Sequence, residues 1–302
     1  MAQQMYYDIE SFKVRKSDLT FLFEALENHG FQKLDTPHKS YCLTNIVTHD
    51  MVISNNREHK VQQLSRLKET SAMKLPITIF DIGMLTDENF DTGWFLKFAP
   101  EAGGRCVFYV KSLSDAHKEY QIRRLEFPDK IYLLSKHIPN PWCWNGCKTD
   151  LRIYVYITSD NHVWIQKHAC IRKSIHLWDL TAKDGQLTNT TQGSAIFTTH
   201  EWPWIKPWFD VRDNFIIPLV RDYWIQSCHI YQPPALISMD VMLSDMSAYF
   251  IEANSCGNIR QSKSEAVNDL KKTVCRDIVT LEVLPTMKRT ERDPGNFLFI
   301  ME

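Results

Sequence analysis

The chain has 302 residues, 44% of them hydrophobic and 24% charged, and its 35 Lys and Arg against 36 Asp and Glu give a net charge of −1. This composition is typical of a globular protein with a substantial core, which excludes a disordered chain, and the balanced charge gives no reason to expect a nucleic-acid partner. The sequence has neither a run of about 18 apolar residues nor the apolar core of a signal peptide, so we expect no membrane partner and a cytoplasmic location.

The first predicted elements form a small α/β unit. The segment KSDLTFLFEALENHGF has apolar residues at helical spacing, with Ser17 or Asp18 as the N-cap and Gly30 as the stop, and the strand-like NIVTHDMVIS follows it. A second helix is predicted in NNREHKVQQLSRLKETSAM, and Pro76 ends it.

Successive strand candidates follow Pro76, and one helix, SDAHKEYQIRRLE, interrupts them. In chain order they are ITIFDI, WFLKF, CVFYV, IYLLSKHI, LRIYVYIT and VWIQKHACIRKS. Beyond them the sequence predicts an amphipathic helix over about 210–228, a hairpin, and a last helix from about Ser264. Strands that are mostly adjacent in sequence, with helices set to one side, predict an α+β fold.

The predicted hairpin, LISMDVMLSDMSAYFIEANSCGNI, places acids among apolar residues. In a hairpin centred on Met246, Asp240 lies opposite Glu252, and Glu252 and Asn254 share a face with Phe250. Paired carboxylates repel each other unless a proton or a cation lies between them. Magnesium, which one or two carboxylates hold together with nucleotide phosphates, is one explanation. The alternative is a solvated hairpin face with ordinary acids.

Charged residues also occur in a regular row within KTDLRIYVYITSD. Lys148, Asp150 and Arg152 point to one face of the predicted strand, and the opposite face is apolar. Such a row suits phosphate or carboxylate recognition, because arginine binds these groups through two parallel hydrogen bonds. The alternative is an amphipathic strand with its polar side in water.

Three further cations lie within apolar strands. Lys97 of WFLKF comes before a loop with Gly103 and Gly104, whose backbone N–H groups could close over phosphates as a flap. Lys136 and Arg172 lie in YLLSKHI and WIQKHACIRKS. Each lysine alone could extend from a sheet edge into solvent, but their number indicates a site.

Taken in order, these segments resemble the tubulin-tyrosine ligase family, a branch of the ATP-grasp ligases. WFLKF with the glycine loop resembles the family's Trp-Ile-x-Lys strand and flap, LLSKHI its Gln-Lys-Tyr-Ile hinge strand, and KTDLRIYVYITS its Lys-Phe-Asp-Leu-Arg strand. QLTNT at 186–190 resembles the family's His-Leu-Thr-Asn, and the hairpin resembles its closing hairpin, which ends in Glu-Val-Asn. The order and separations agree over roughly 75–259.

The resemblance implies an α+β ATP-grasp fold, in which two lobes of mostly antiparallel sheet clasp a nucleotide. It implies a small N-terminal α/β subdomain at 1–75, a central lobe with the glycine flap at 76–138, and a C-terminal lobe with the metal-binding hairpin at 139–302. The implied activity uses ATP and Mg²⁺ to add an amino acid to a protein or peptide acceptor through an acyl phosphate. Tubulin is one acceptor that the resemblance allows.

The resemblance also assigns roles to residues. Nucleotide binding is assigned to Lys97, Gly103, Gly104, Lys136, His137, Ile138, Lys148, Asp150 and Asn189. Catalysis is assigned to Arg152, Arg172 and Glu252, with the two arginines holding the transferred phosphoryl group or the acyl phosphate. Magnesium binding is assigned to Asp240, Glu252 and Asn254.

Some positions depart from the family pattern. Ser135 and His137 replace the glutamine and tyrosine of the hinge, Cys106 replaces the second glycine of the flap, and Gln186 replaces the histidine before Leu-Thr-Asn. Two alternatives therefore stay open: a catalytically impaired nucleotide-binding interaction module, and a ligase that acts on a small peptide. No residue decides which amino acid is the donor.

Overall fold

The computed structural model describes residues 5–7, 19–34, 46–47, 60–99, 107–179, 185–188, 194–204, 206–245, 247–255, 259–288 and 290–302. Gly103, Gly104 and Asn189, which the sequence placed in the site, lie outside these residues, as does Cys106. The described chain is α+β with two antiparallel sheets, which confirms the predicted class. No helix in these ranges is both long enough and apolar enough to cross a membrane.

The N-terminal elements are β1 (Met5–Tyr7), α1 (Thr20–Asn28), β2 (Phe31–Lys33) and β3 (Ile46–Val47). They form a parallel sheet in the order β2-β1-β3. Helix α1 packs through Leu22 and Leu26, and Gly30 follows its end at φ +84°, a left-handed conformation that suits glycine. The predicted start was early, because the N-cap is Leu19; Ser17 and Asp18 lie outside the described residues.

The next two predicted elements are shorter than expected. Helix α2 (Lys60–Arg66) ends well before Pro76, and an irregular turn follows in which the buried Met73 donates its N–H to the Thr70 hydroxyl, 2.9 Å away. Strand β4 (Thr78–Ile79) covers only part of ITIFDI. The Asp81 carboxylate then accepts the N–H of Gly83 at 2.9 Å and begins a single 3₁₀ turn.

The smaller antiparallel sheet contains β5 (Trp94–Ala99), β6 (Val107–Val110) and β7 (Ile131–Lys136), with α3 (Leu113–Glu126) packed on it. Its order is β4-β7-β5-β6. Alternation along β5 sends Trp94, Leu96 and Phe98 into the core shared with α3, and it sends Phe95 and Lys97 to the opposite face. The sheet thus presents a lysine to the cleft described below.

The larger sheet has eight strands. They are β8 (Cys143–Trp144), β9 (Cys147–Ile157), β10 (Val163–Gln166), β11 (Cys170–Lys173), β12 (Ala195–Thr198), β13 (Ala235–Ser244), β14 (Ser247–Ser255) and β15 (Phe297–Met301). Strand β9 is central, with β13 on one edge and both β10 and β11 on the other. The prediction of one strand in VWIQKHACIRKS was wrong, because Lys167, His168 and Ala169 separate β10 from β11, and the register against β9 shifts by two residues there.

Helices cover both faces of this sheet, which corrects the expectation that they lie to one side. Helices α4 (Trp208–Val211) and α5 (Ile217–Ser227) are joined by a π-helical turn and pack on the face that carries Ile153 and Val155. Helices α6 (Glu265–Ile278) and α7 (Leu284–Lys288), also joined by a π turn, pack on the face that carries Tyr154 and Tyr156. The α6 start is as predicted, with Ser264 as its N-cap.

Candidate functional site

A cleft of about 110 Å³ lies between the two antiparallel sheets. Lys97 and Lys136 reach it from the smaller sheet, and the other charged residues reach it from the larger one. The predicted site residues that line it are Lys97, Lys136, Ile138, Lys148, Asp150, Arg172, Asp240 and Glu252. Residues separated by up to 155 positions in the chain therefore line one cleft.

The charged row of β9 is buried, so the solvated-strand alternative is wrong. Lys148 is 2% exposed, and its Nζ lies 3.4 Å from Nε2 of His137 and 5.1 Å from the ring centre of Phe95. Burial lowers the pKa of Lys148 to about 8, against the opposing charge of Asp150. Burial and then the charge of Lys148 lower the pKa of His137 to about 3, so this imidazole is neutral at physiological pH.

Two arginines and two aspartates form an ion-pair network beside Lys148. Arg172 Nε lies 2.5 Å from Asp150 Oδ1, and its Nη2 lies 2.9 Å from Asp240 Oδ2. Arg152 binds both oxygens of Asp240, at 2.8 and 2.9 Å. The strand register places Arg172 opposite Asp150 and Arg152 opposite Asp240, which explains why these pairs form.

The network keeps its arginines charged. Burial alone would lower the pKa of Arg172, but Asp150 and Asp240 together raise it above the ordinary value. Burial raises the pKa of Asp240, the two guanidinium groups oppose this effect, and Glu252 adds to it. A cation near Asp240 and Glu252 would relieve that last repulsion.

The hairpin of β13 and β14 brings Asp240 and Glu252 together through a β-bulge. At the tip Ser244 pairs with Ser247, so the turn is centred between residues 245 and 246, and the predicted centre on Met246 was wrong. A register shift after Asp240 then places Glu252 opposite it, and the predicted pair is confirmed. The predicted common face of Glu252 and Phe250 is wrong, because the bulge sends both Ile251 and Glu252 to the cleft while Phe250 stays in the core.

The oxygen ligands for a hard cation are present at this point. Asn254 donates to Glu252 Oε1 at 3.4 Å, so the two predicted ligands on β14 are in contact, and Asp240 faces Glu252. Within the described ranges no three His, Cys, Asp or Glu side chains group into a complete metal site. Two carboxylates and an amide oxygen nevertheless fit Mg²⁺, which commonly takes one or two carboxylates and completes its shell with water and phosphates.

Three residues that the sequence reasoning did not assign also contribute. Thr188 donates its hydroxyl to Asp150, Trp178 Nε1 lies 3.4 Å from His137 Nε2, and Phe95 lines the cleft. Thr188 belongs to the Leu-Thr-Asn motif, which was the available signal, but nothing in the local sequence marks Trp178. Gln186 lies beside His137, although neither His137 Nδ1 nor Gln186 Oε1 makes a well-formed hydrogen bond to a described residue.

A comparison with models of protein families shows which family this chain belongs to. Residues 24–191, more than half of the chain, match the model of the tubulin-tyrosine ligase family. The chain belongs to the tubulin-tyrosine ligase family. Members of this family are generally ATP-grasp ligases that use ATP and Mg²⁺ to join an amino acid to a protein or peptide. A comparison with curated proteins gave no match.

The family match and the fold cover different parts of the site. Lys97, Lys136 and the β9 and β11 residues lie inside the matched span, as expected for a tubulin-tyrosine ligase family member. Asp240, Glu252 and Asn254 lie beyond it, and the pairing of β13 with β9 brings them to the cleft. The cleft is therefore assembled from both parts of the chain.

Proposed function

We propose that this protein is an ATP- and Mg²⁺-dependent ligase that adds an amino acid to a protein or peptide acceptor. One observation carries the proposal: cations from strands β5, β7, β9 and β11 converge on one cleft that the carboxylates of β13 and β14 also line. The lining has four cations against three carboxylates, and Arg152 adds a fifth cation behind Asp240. An excess of buried positive charge suits an anion such as a nucleotide triphosphate.

The nucleotide would lie between the two sheets. Lys97, Lys136 and Lys148 would bind its phosphates, and Asp150 would hold Lys148 and Arg172 in position through their opposite charges. His137 and Ile138, which follow β7, would contact the adenine as the hinge. The roles of Gly103, Gly104 and Asn189 stay predictions from the resemblance.

Asp240, Glu252 and Asn254 would hold magnesium, which supplies charge neutralisation of the phosphates when it is bound. The remaining catalytic work falls to fixed cations. Arg172 lies between Asp150 and Asp240, and Arg152 is held through two hydrogen bonds to Asp240, so neither guanidinium has to reorganise during the reaction.

The ligation reaction would have two steps, formation of an acyl phosphate and attack by an amine. A carboxylate oxygen of the first substrate attacks the γ-phosphorus of ATP, the bond from that phosphorus to the β,γ-bridging oxygen breaks, and ADP leaves. The amine of the second substrate then attacks the acyl carbon, inorganic phosphate leaves, and the amine releases a proton to solvent. Arg152 and Arg172 would orient the transferred phosphoryl group in both steps. No protein nucleophile is needed, so the cysteines need no catalytic part.

We also propose the division of the chain into an N-terminal α/β subdomain at 1–75, a central lobe at 76–138 and a C-terminal lobe at 139–302. The parallel sheet, the smaller antiparallel sheet and the larger one support it, since each lies mainly within one of these ranges. The cleft then lies between the second and third parts.

A catalytically impaired interaction module is the second candidate, and one observation favours it. The cleft is smaller than the roughly 300–1,000 Å³ of ordinary small-molecule sites. The His137 ring stacks about equally on Phe95 and Trp178, each at 6.0 Å between ring centres, where a nucleotide base would otherwise pack. The ligase needs the two sheets to open far enough for ATP and both substrates, whereas the impaired module needs room for the nucleotide alone.

Two measurements together separate the candidates. The first is intact mass analysis of tubulin and of synthetic peptides after incubation with the protein, ATP, Mg²⁺ and the twenty amino acids. The second is the thermal melt of the protein with and without millimolar MgATP, because a ligand that binds only the native state raises its stability. A ligase gives an ATP-dependent mass gain of one amino-acid residue and a raised melting temperature.

The other outcomes are equally informative. A raised melting temperature without any mass gain supports the impaired module. Neither a shift nor a mass gain refutes both candidates. A mass gain confined to peptides, with tubulin unchanged, identifies the ligase as one that acts on small peptides.

A further inference from the structure

The neighbours of the His137 imidazole fix its tautomer. His137 is 3% exposed, and its Nε2 lies 3.4 Å from Nζ of Lys148 and 3.4 Å from Nε1 of Trp178. An ammonium group and an indole N–H only donate hydrogen bonds, so the nitrogen that both approach must carry the lone pair. Because this imidazole is neutral, its proton lies on the other ring nitrogen, Nδ1.

The N–H at Nδ1 is a buried donor that needs an acceptor. Nδ1 of His137 is shielded from solvent and makes no well-formed hydrogen bond to a described residue. A buried donor loses its hydration on folding, and without an acceptor nothing compensates that loss, so such donors are rare in native proteins. The group that accepts this proton therefore has a role in holding the imidazole.

Gln186 presents an acceptor beside this donor. Its side chain is 2% exposed and lines the cleft, and its Nε2 donates to the carbonyl of Asp179, the residue after Trp178. That bond sets the orientation of the amide, so Oε1 is the free acceptor, and Oε1 is buried without a well-formed partner in the described part of the chain. Gln186 lies against His137 at hydrogen-bonding range, and a small rotation joins Oε1 to Nδ1.

Lys148 connects this pair of side chains to the nucleotide site. Its ammonium group has three N–H donors, and Nε2 of His137 accepts one of them at the wall of the cleft. The opposite tautomer would point an N–H at the ammonium group, which would remove that acceptor and disfavour the charged form of Lys148. The tautomer of His137 therefore determines how Lys148 is held.

We propose that Gln186 is a positioning residue of the nucleotide site: its Oε1 accepts the Nδ1 proton of His137, and this bond keeps Nε2 as the acceptor that holds the ammonium group of Lys148 in the cleft. The inference deepens the proposed function and rests on it for the role of Lys148. Gln186 and His137 are two of the positions at which the sequence departs from the family pattern. In this inference the two departures act as one unit.

The first test detects the tautomer directly in the nucleotide-free protein. Long-range ¹H–¹⁵N correlation on protein with ¹⁵N-labelled histidine distinguishes a protonated ring nitrogen from one that carries a lone pair. The signals that His137→Phe removes are those of His137. In the wild type we expect the proton on Nδ1 and the lone pair on Nε2. This measurement uses neither ATP nor an acceptor, so its result does not depend on ligation.

The second test uses variants that separate the two hydrogen bonds of Gln186. Gln186→Met removes both the donor to Asp179 and the acceptor for His137. Gln186→Glu removes the donor and keeps the acceptor. Gln121→Met, at an exposed position of α3, is the control for the same substitution away from the cleft. Each variant is compared with the wild type by the tautomer measurement and by calorimetry of MgATP binding between pH 6 and 10.

We expect Gln186→Met to give a mixture of tautomers and to weaken MgATP binding at least threefold at pH 7. The pH at which its MgATP affinity falls should lie below that of the wild type, because Lys148 loses its proton more readily without an acceptor. Gln186→Glu should keep the wild-type tautomer. Its MgATP affinity should fall at the wild-type pH or above, because a nearby carboxylate favours the ammonium form. Gln121→Met should match the wild type in both measurements.

Several results would overturn the inference. It is wrong if Nε2 carries the proton in the wild type, if the wild type binds no MgATP, or if Gln186→Met lowers only the melting temperature. It is also wrong if Gln186→Glu and Gln186→Met change the tautomer and the pH dependence alike, as a role confined to the Asp179 contact predicts. Failure of the ligase proposal gives a different result: the acceptor gains no mass, while the tautomer and MgATP binding still respond to Gln186 as expected.

Discussion

Removing the charge of either carboxylate at the β-bulge should have a different effect: for Asp240 a large loss of stability, for Glu252 a loss of ligation with little change in stability. Asp240 is 1% exposed, accepts two hydrogen bonds from Arg152 and forms an ion pair with Arg172. Glu252 is half-buried, faces Asp240, and accepts a long hydrogen bond of 3.4 Å from Asn254. Asp240→Asn therefore removes a charge that both the ion-pair network and the proposed magnesium site use, and Glu252→Gln removes one that only the proposed magnesium site uses.

The magnitudes follow from these surroundings. Asp240→Asn leaves Arg152 and Arg172 buried with only Asp150 to compensate them, and breaking a buried ion pair costs about 3–5 kcal/mol. For a chain of this size that corresponds to a fall in melting temperature of roughly 5–15 °C. Glu252→Gln keeps the shape and removes a like-charge contact, so the free energy of unfolding should change by less than about 1 kcal/mol. Ligation should fall about a hundredfold or more, because one anionic metal ligand is lost.

The assay pairs a circular-dichroism melt with acceptor mass gain and ATP consumption at saturating nucleotide. Asp240→Asn gives the loss of melting temperature that a broken ion-pair network produces. A folded Glu252→Gln protein with wild-type rates would refute the catalytic assignment. A loss of stability in Glu252→Gln as large as that of Asp240→Asn would show that both acids are structural.

Two further predictions concern the cations. The pKa of Lys148 is about 8 in the fold against 10.5 for an ordinary lysine, so its charge is lost as the pH rises through 8. Calorimetry should therefore show that MgATP affinity falls between about pH 7 and 9 and that binding near pH 8 takes up a proton. The affinity of Lys148→Met should not change over this range. The nucleotide-free protein should gain stability between about pH 8 and 10.5, because the unfolded chain binds a proton there that the folded chain has lost. Lys97→Met should weaken MgATP binding at least tenfold with little change in the melting temperature, because Lys97 lines the cleft. Lys111→Met, a control at an exposed position just after β6, should bind MgATP normally. Equal binding by both variants would contradict a phosphate-binding role for Lys97.

Local periodicity was enough to predict much of the site. Alternation along β9 placed Lys148, Asp150 and Arg152 on one face, and the structure confirms it, because side-chain direction in a strand follows from the backbone alone. The start of α6 near Ser264 was likewise predicted from the sequence. The family was predicted from the order of short motifs, and the family comparison confirms it.

Contacts between strands that are far apart in the chain could not be predicted in this way. The ion pairs of Arg172 with Asp150 and Asp240 depend on the register of β9 against β11 and of β13 against β9, which packing of both faces selects. The bulge that turns Glu252 toward the cleft leaves no periodic signal, since one extra residue reverses the faces after it. Periodicity determines which way a side chain points from its own strand or helix, and only the packing of distant elements determines what it meets there.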